Sequence, residues 1–306
     1  MAKDKEREKS RIILINSFKG GAGKTSISLA LCVTAAIENH NKKHYNKIFY
    51  FDIDLLGTGS YYKLFPDGIE NRKYFNDYDK SKWHEFPKEL KLEKDGEVKG
   101  SFYALYINPI LRIKKKIYEN TVIRVNDKKE ETLIGDIIHF MENETGMVGM
   151  GEKQKPNLYI LDCSPGFNKF ERKLIEELNN NSNYNIKEVF VTSYDSSHVE
   201  KTVECLKEYC NTSEERKKFY IVLNDIHNIS KKINGVNLNF SLAEKEINNL
   251  FNKGEKINDY EETYYLYENT YSERLCASNL FLNKIGIANS FDDYNIINSF
   301  YNKVVN

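Results

Sequence analysis

Cysteine, proline and tryptophan are scarce in this chain: 306 residues hold 5 cysteines, 5 prolines and 1 tryptophan. Cys32, Cys163, Cys205, Cys210 and Cys276 form no CxxC pair and no metal-like cluster. That excludes a disulfide framework and a zinc or iron–sulfur site, and it reads as buried thiols in a reducing cytoplasm. The 6 histidines include no HExxH arrangement, so the zinc-protease pattern is absent as well. An excess of one charge is also missing, because 45 Lys and Arg balance 45 Asp and Glu. The balance therefore gives no sign of a nucleic-acid binder or an anionic-membrane protein, and any such contact has to be local. No apolar run is long enough to cross a bilayer, which argues against stable membrane insertion. Residues 1–10, MAKDKEREKS, are charged with no apolar stretch behind them, and they read as a disordered tail rather than a secretion signal. With 40% hydrophobic and 29% charged residues, the remainder excludes wholesale disorder. In the absence of a repeat or a low-complexity linker, residues 11–306 read as one elaborated, cytoplasmic domain.

Short apolar runs alternate with helical patterns along that domain. Arg11 to Asn16, Lys47 to Ile53, Leu158 to Leu161, Glu188 to Thr192 and Phe219 to Leu223 have the composition of strands buried on both faces. Thr25 to Glu38, Phe167 to Asn179, Ser197 to Tyr209 and Ser241 to Phe251 carry apolar residues at helical spacing, as does Glu131 to Met141. The order β, α, β, α predicts an α/β fold: a mostly parallel central sheet with helices on both faces. Residues 60–100 look inserted. They hold Tyr74, Phe75, Tyr78, Trp83 and Phe86 and a hairpin signal at Asp95-Gly96, before Phe102 to Ile107 resumes as a strand. Those aromatics suit equally a partner-binding surface or a small satellite core over the sheet.

Between the first strand and the first helix lies Lys19-Gly20-Gly21-Ala22-Gly23-Lys24-Thr25, the context that a phosphate-binding loop requires. Glycines let successive backbone N–H groups turn toward phosphate oxygens, and the helix N-terminus adds its positive dipole end. Lys24 would neutralise β and γ phosphates, and the Thr25 hydroxyl would ligate Mg²⁺. The general pattern GxxxxGK[ST] asks for glycine at position 18, where this chain has Phe18.

That departure, with the extra lysine of KGGxGK[ST], resembles the deviant Walker A motif of the ParA/MinD family of P-loop ATPases. Asp52-Ile53-Asp54 resembles the family's DxD with its switch I, although Leu55-Leu56-Gly57-Thr58-Gly59 replaces the more usual continuation. Leu158 to Gly166, LYILDCSPG, resembles its Walker B and switch II, and Asn224 stands where the family has an adenine-contacting Asn. The resemblance spans about residues 11–290, with the segment after switch I unmatched. It implies a P-loop fold, ATP and Mg²⁺ as cofactors, and a homodimer formed with ATP that acts as a switch to position, partition or regulate a partner protein or cargo. In the roles it implies, Lys19, Lys24 and Asp54 are catalytic, Lys19 reaching across the dimer and Asp54 orienting water. Lys19, Gly20, Gly21, Ala22, Gly23, Lys24, Thr25, Ser26, Asp52 and Asn224 bind the nucleotide, and Thr25 and Asp162 hold the metal. One of the two carboxylates Asp52 and Asp54 could instead cap a turn. Guanine readout of the NKxD type needs an Asp three residues after the Asn, and His227 stands there, so adenine is favoured.

Other features weigh less. Tyr260, Tyr264, Tyr265, Tyr267 and Tyr271 suggest a kinase tail, but Leu275 to Ile287 follows them as a helical pattern and places the cluster inside the fold. Arg112 and Lys114 to Lys116 form a basic run that could touch DNA phosphates but reads better as a solvated face. Tyr294 to Val305 has an apolar helical face with a single cation on the polar side, which favours packing on the body over a membrane surface. A different class of enzyme sharing the fold, an ATP-dependent metabolic ligase of the dethiobiotin synthetase type, is the alternative; those enzymes have Thr or Asp where this chain has Lys19.

Overall fold

A computed structural model describes residues 8–55, 60, 75, 87–94, 96–107, 127–146, 155–211, 219–224, 232–233, 236–237, 242, 245, 264–269, 298 and 300–305. The first strand, β1 (Ser10–Ser17), leads through the glycine loop into α1 (Lys24–Lys42), and β2 (Ile48–Asp52) follows. Next come a hairpin, β3 (Lys88–Lys94) and β4 (Glu97–Tyr106), then α2 (Asp127–Gly146), β5 (Leu158–Pro165) and α3 (Lys169–Asn179). β6 (Tyr184–Ser193), α4 (Ser196–Asn211) and β7 (Phe219–Asn224) complete the alternation. Among the described residues β8 (Lys232–Ile233) and β9 (Val236–Asn237) pair with each other, and β10 (Tyr264–Asn269) returns to the main sheet.

The eight-stranded sheet has the order β10-β7-β6-β1-β5-β2-β4-β3, with every neighbouring pair parallel except β3 and β4. β1 sits inside the sheet, so both its faces must be apolar, and the alternation of its side chains divides the core in two. Ile13 and Ile15 point to the side covered by α1, together with Phe300, Tyr301, Val304 and Val305 of the C-terminal helical residues. Ile12 and Leu14 point to the other side, covered by α2, α3 and α4. The α/β fold with helices on both faces is therefore the fold that the alternating pattern predicts.

Two additions lie at the edges. The hairpin extends the sheet past β4, with Gly96 between its strands at φ 79, a conformation that suits glycine at the Asp-Gly signal. Phe75 is fully buried and packs edge-on against Phe51 and Phe140 at centroid distances of 5.2 and 5.5 Å. For this one aromatic of the inserted segment the core reading holds; Tyr74, Tyr78, Trp83 and Phe86 lie outside the described residues. At the opposite edge, Tyr264, Tyr265 and Tyr267 fall in β10, which places three tyrosines of the cluster in the sheet. The basic run at 112–116 and the helix expected at 275–287 lie outside the described residues, as does most of the one expected at 241–251.

Candidate functional site

The glycine loop leaves β1 at the carboxyl end of the sheet, where open α/β sheets place their ligands. Gly21 and Gly23 adopt φ values of 82 and 84, left-handed conformations that a side chain would strain. Gly23 is also the N-cap of α1, which has no side-chain cap and no acidic residue in its first turn. The Ser26 and Ile27 amides turn back to the Gly23 carbonyl at 3.0 and 3.1 Å, and the Lys24 and Thr25 amides ahead of them lie where a helix N-terminus holds an anion, so the loop fits a phosphate group. Space agrees with this, since a Cβ built on Gly20 or Gly21 meets nothing within 4 Å.

Period-two alternation carries Tyr50 and Asp52 of β2, Asp162 of β5 and Asn224 of β7 to the face that α1 covers. There Lys24 Nζ lies 3.3 Å from Asp162 Oδ1, with the two residues only 7% and 1% exposed. The same oxygen accepts the Ser28 hydroxyl at 3.2 Å, and Asp162 Oδ2 accepts the Tyr50 hydroxyl at 2.9 Å. Burial acts to lower the Lys24 pKa, but the carboxylates of Asp162, Asp54 and Asp52 outweigh it and the net shift is upward. The lysine is a buried, permanent cation. Asp52 is shifted upward too, out of the ordinary carboxylate range: burial, then the Asp162 charge, push its pKa well up. Its oxygens accept the Asp54 amide at 3.0 Å and the Ser60 hydroxyl.

Lys19 stands apart from this group. It is exposed, and its Nζ donates to Ser197 Oγ at 3.1 Å at the start of α4, where Ser197 in turn donates to Asp195. Asn224 Nδ2 donates to the Ala22 carbonyl at 2.7 Å, so the end of β7 braces the loop, while Asn224 Oδ1 is buried without a partner. The structure thus gathers Lys24, Asp52, Asp54 and Asp162 in one cluster and ties Asn224 to the loop. Thr25 and Ser26 occupy the first turn of α1. Among the described residues no group of three or more His, Cys, Asp or Glu has the arrangement of a metal centre.

Phe18, the departure from the general loop pattern, has a packing explanation. The side chain turns to the α3 and α4 side, stacks on Phe190 at 5.1 Å and meets Phe167 edge-on at 5.8 Å. Sequence reasoning missed several neighbours of the site: Ser28 and Tyr50 on Asp162, and Ser164 and Glu171 behind it. Glu171 had a legible signal, since Asn168-x-x-Glu171 is a capping-box spacing and the box forms at the start of α3. Tyr50 had none, being one aromatic in an apolar strand.

The fold and the loop define an α/β protein of the P-loop class. No family model matches the sequence, and no curated protein matches it. Among solved structures it is similar to the pNOB8 ParA, with a TM-score of 0.56 at 11% identity over 97% of this chain and 98% of that one. It is also similar to a ParA family ATPase from Chlorobium tepidum, at 0.53 and 12% over 96% and 98%. The MinC:MinD cell division protein complex of Aquifex aeolicus gives 0.51 and 12% over 97% and 95%. The chain therefore has the fold of the ParA/MinD ATPases across nearly its whole length.

Proposed function

We propose that this chain is a Mg²⁺-dependent ATPase that works as an ATP-controlled dimerisation switch and positions, partitions or regulates a partner protein or cargo in the cytoplasm. The observation that carries this reading is the buried Lys24–Asp162 pair, 3.3 Å apart, at the foot of a glycine loop built from left-handed glycines. Lys24 binds the phosphates and Thr25 and Asp162 hold Mg²⁺. Bound there, Mg²⁺ supplies neutralisation of phosphate charge. Asp54 orients the attacking water, and Asp52 braces the loop that carries it through the Asp54 amide. Asn224 steadies the loop through Ala22 and offers Oδ1 as an acceptor, which suits the exocyclic amine of adenine. Lys19, exposed on the rim, is the lysine that reaches the phosphates of a second copy. The domain is single, residues 11–306, with the segment at about 60–100 inserted after the loop that bears Asp54.

Replacing Lys24 tests the reading. Lys24→Ala removes the one buried cation of the cluster, and Mg²⁺-ATP binding measured by calorimetry is expected to be lost in protein whose near-UV circular dichroism remains native. Parental affinity in that variant overturns the assignment.

A further inference from the structure

Behind the carboxylate cluster, the loop that follows β2 is stitched to the end of β5 by two hydrogen bonds that bracket Asp54. The Ile53 amide donates to the Asp162 carbonyl at 2.9 Å, and the Leu55 amide donates to Ser164 Oγ at 3.0 Å. The first of these is backbone to backbone and independent of sequence. The second depends on one hydroxyl. A hydroxyl that accepts from an amide must give its own proton elsewhere. Ser164 gives it to the Glu171 side chain, which also accepts the Ser164 amide at 2.9 Å and the Asn168 amide at 3.0 Å. Leu55 amide, Ser164 hydroxyl and Glu171 carboxyl form a directed chain, and its last member is anchored in the capping box of α3. Both side chains are completely buried, where a lost acceptor cannot be replaced by water.

We propose that Ser164 and Glu171 are positioning residues for nucleotide hydrolysis: their relay sets where the Asp54 carboxylate stands relative to Asp162. The proposal rests on the role given above to Asp54. Neither residue touches the nucleotide in this reading, so they act on the rate of the chemical step and not on affinity. Burial raises the Glu171 pKa to about 7 against the downward pull of these donors.

The test compares Ser164→Ala and Glu171→Gln with the parent and with Asp54→Ala, by single-turnover ATP hydrolysis and by equilibrium binding of a non-hydrolysable ATP analogue. Expected are affinities within about threefold of the parent and rate constants lower by about 10- to 100-fold. Adding Ser164→Ala to Asp54→Ala should lower the rate no further, because both act through one group. Amide exchange supplies a readout independent of activity: in Ser164→Ala the Leu55 amide should lose at least about tenfold protection while the Ile53 amide keeps its own. Parental rates in both variants, additive losses with Asp54→Ala, or unchanged Leu55 protection overturn the relay alone. An Asp54→Ala protein that hydrolyses at the parental rate, or a parent with no turnover, overturns the functional reading and the relay with it.

Discussion

Lys24 keeps its charge inside the protein because three aspartates surround it, and Glu171 shows the opposite case. Its carboxyl accepts from N–H and O–H donors, and burial outweighs them, bringing its pKa from 4.5 up to about 7. A carboxyl with a raised folded pKa holds its proton more tightly folded than unfolded. Its contribution to stability is present in full below the unfolded value and is lost as pH rises through the folded one. Between pH 5 and 8 the loss amounts to at most about 3 kcal/mol. Glu171→Gln cannot ionise, so its stability relative to the parent should improve over that interval, as read by urea denaturation at the two pH values. A constant difference between the two proteins would mean that Glu171 does not titrate in the folded state.

At the scale of elements, α1 and β4 approach so closely that only glycine fits at position 100. A Cβ there would stand 2.6 Å from the Ala36 carbonyl oxygen and 2.7 Å from its carbon, both backbone atoms that cannot rotate away. Gly100→Ala should therefore force the helix off the sheet and cost about 1–3 kcal/mol, seen as a lower midpoint in thermal denaturation. Such a contact is invisible in the sequence, where Gly100 looks like the end of an insertion. The interior strands were legible because strands buried on both faces are continuous apolar runs, and α3 and α4 because their apolar residues recur at helical spacing. β3 was not, since KELKLEK is an edge strand with charges at every position but Leu90 and Leu92, and its Leu92 is buried in the cluster on the α1 side of the sheet. The loop from Lys19 to Thr25 was readable because its glycines and its lysine have fixed chemical duties. Tyr50, Ser28 and Ser164 were not, because a hydroxyl in an apolar run gains its role from strands and helices that meet it from elsewhere in the chain.

For the whole molecule, Lys19 separates a monomeric from a dimeric mechanism. It is held at the rim by Ser197 and lies outside the buried cluster that Lys24 occupies. Lys19→Ala should leave most of the monomer's ATP affinity intact while ATP-dependent dimerisation, followed by light scattering, and turnover both fail. A parent that stays monomeric with ATP, together with normal turnover in the variant, removes the role across the interface. At the far end of the chain, Phe300, Tyr301, Val304 and Val305 are buried against the sheet, so these apolar side chains are spent on the body rather than offered to a lipid surface.

The place of β1 in the sheet has a consequence for synthesis. β1 pairs with β5 and β6 and with no strand nearer in sequence; Arg11 meets Leu158 on one side and Asn185 on the other. At roughly 5–20 residues per second, the strand and its glycine loop would leave the ribosome on the order of ten seconds before their first sheet partner exists. During that interval Ile12 to Ile15 form an unpaired apolar ribbon. A nascent chain of this design depends on whatever shields such ribbons in the cell, and it gains the Lys24–Asp162 pair only when its second half has been made.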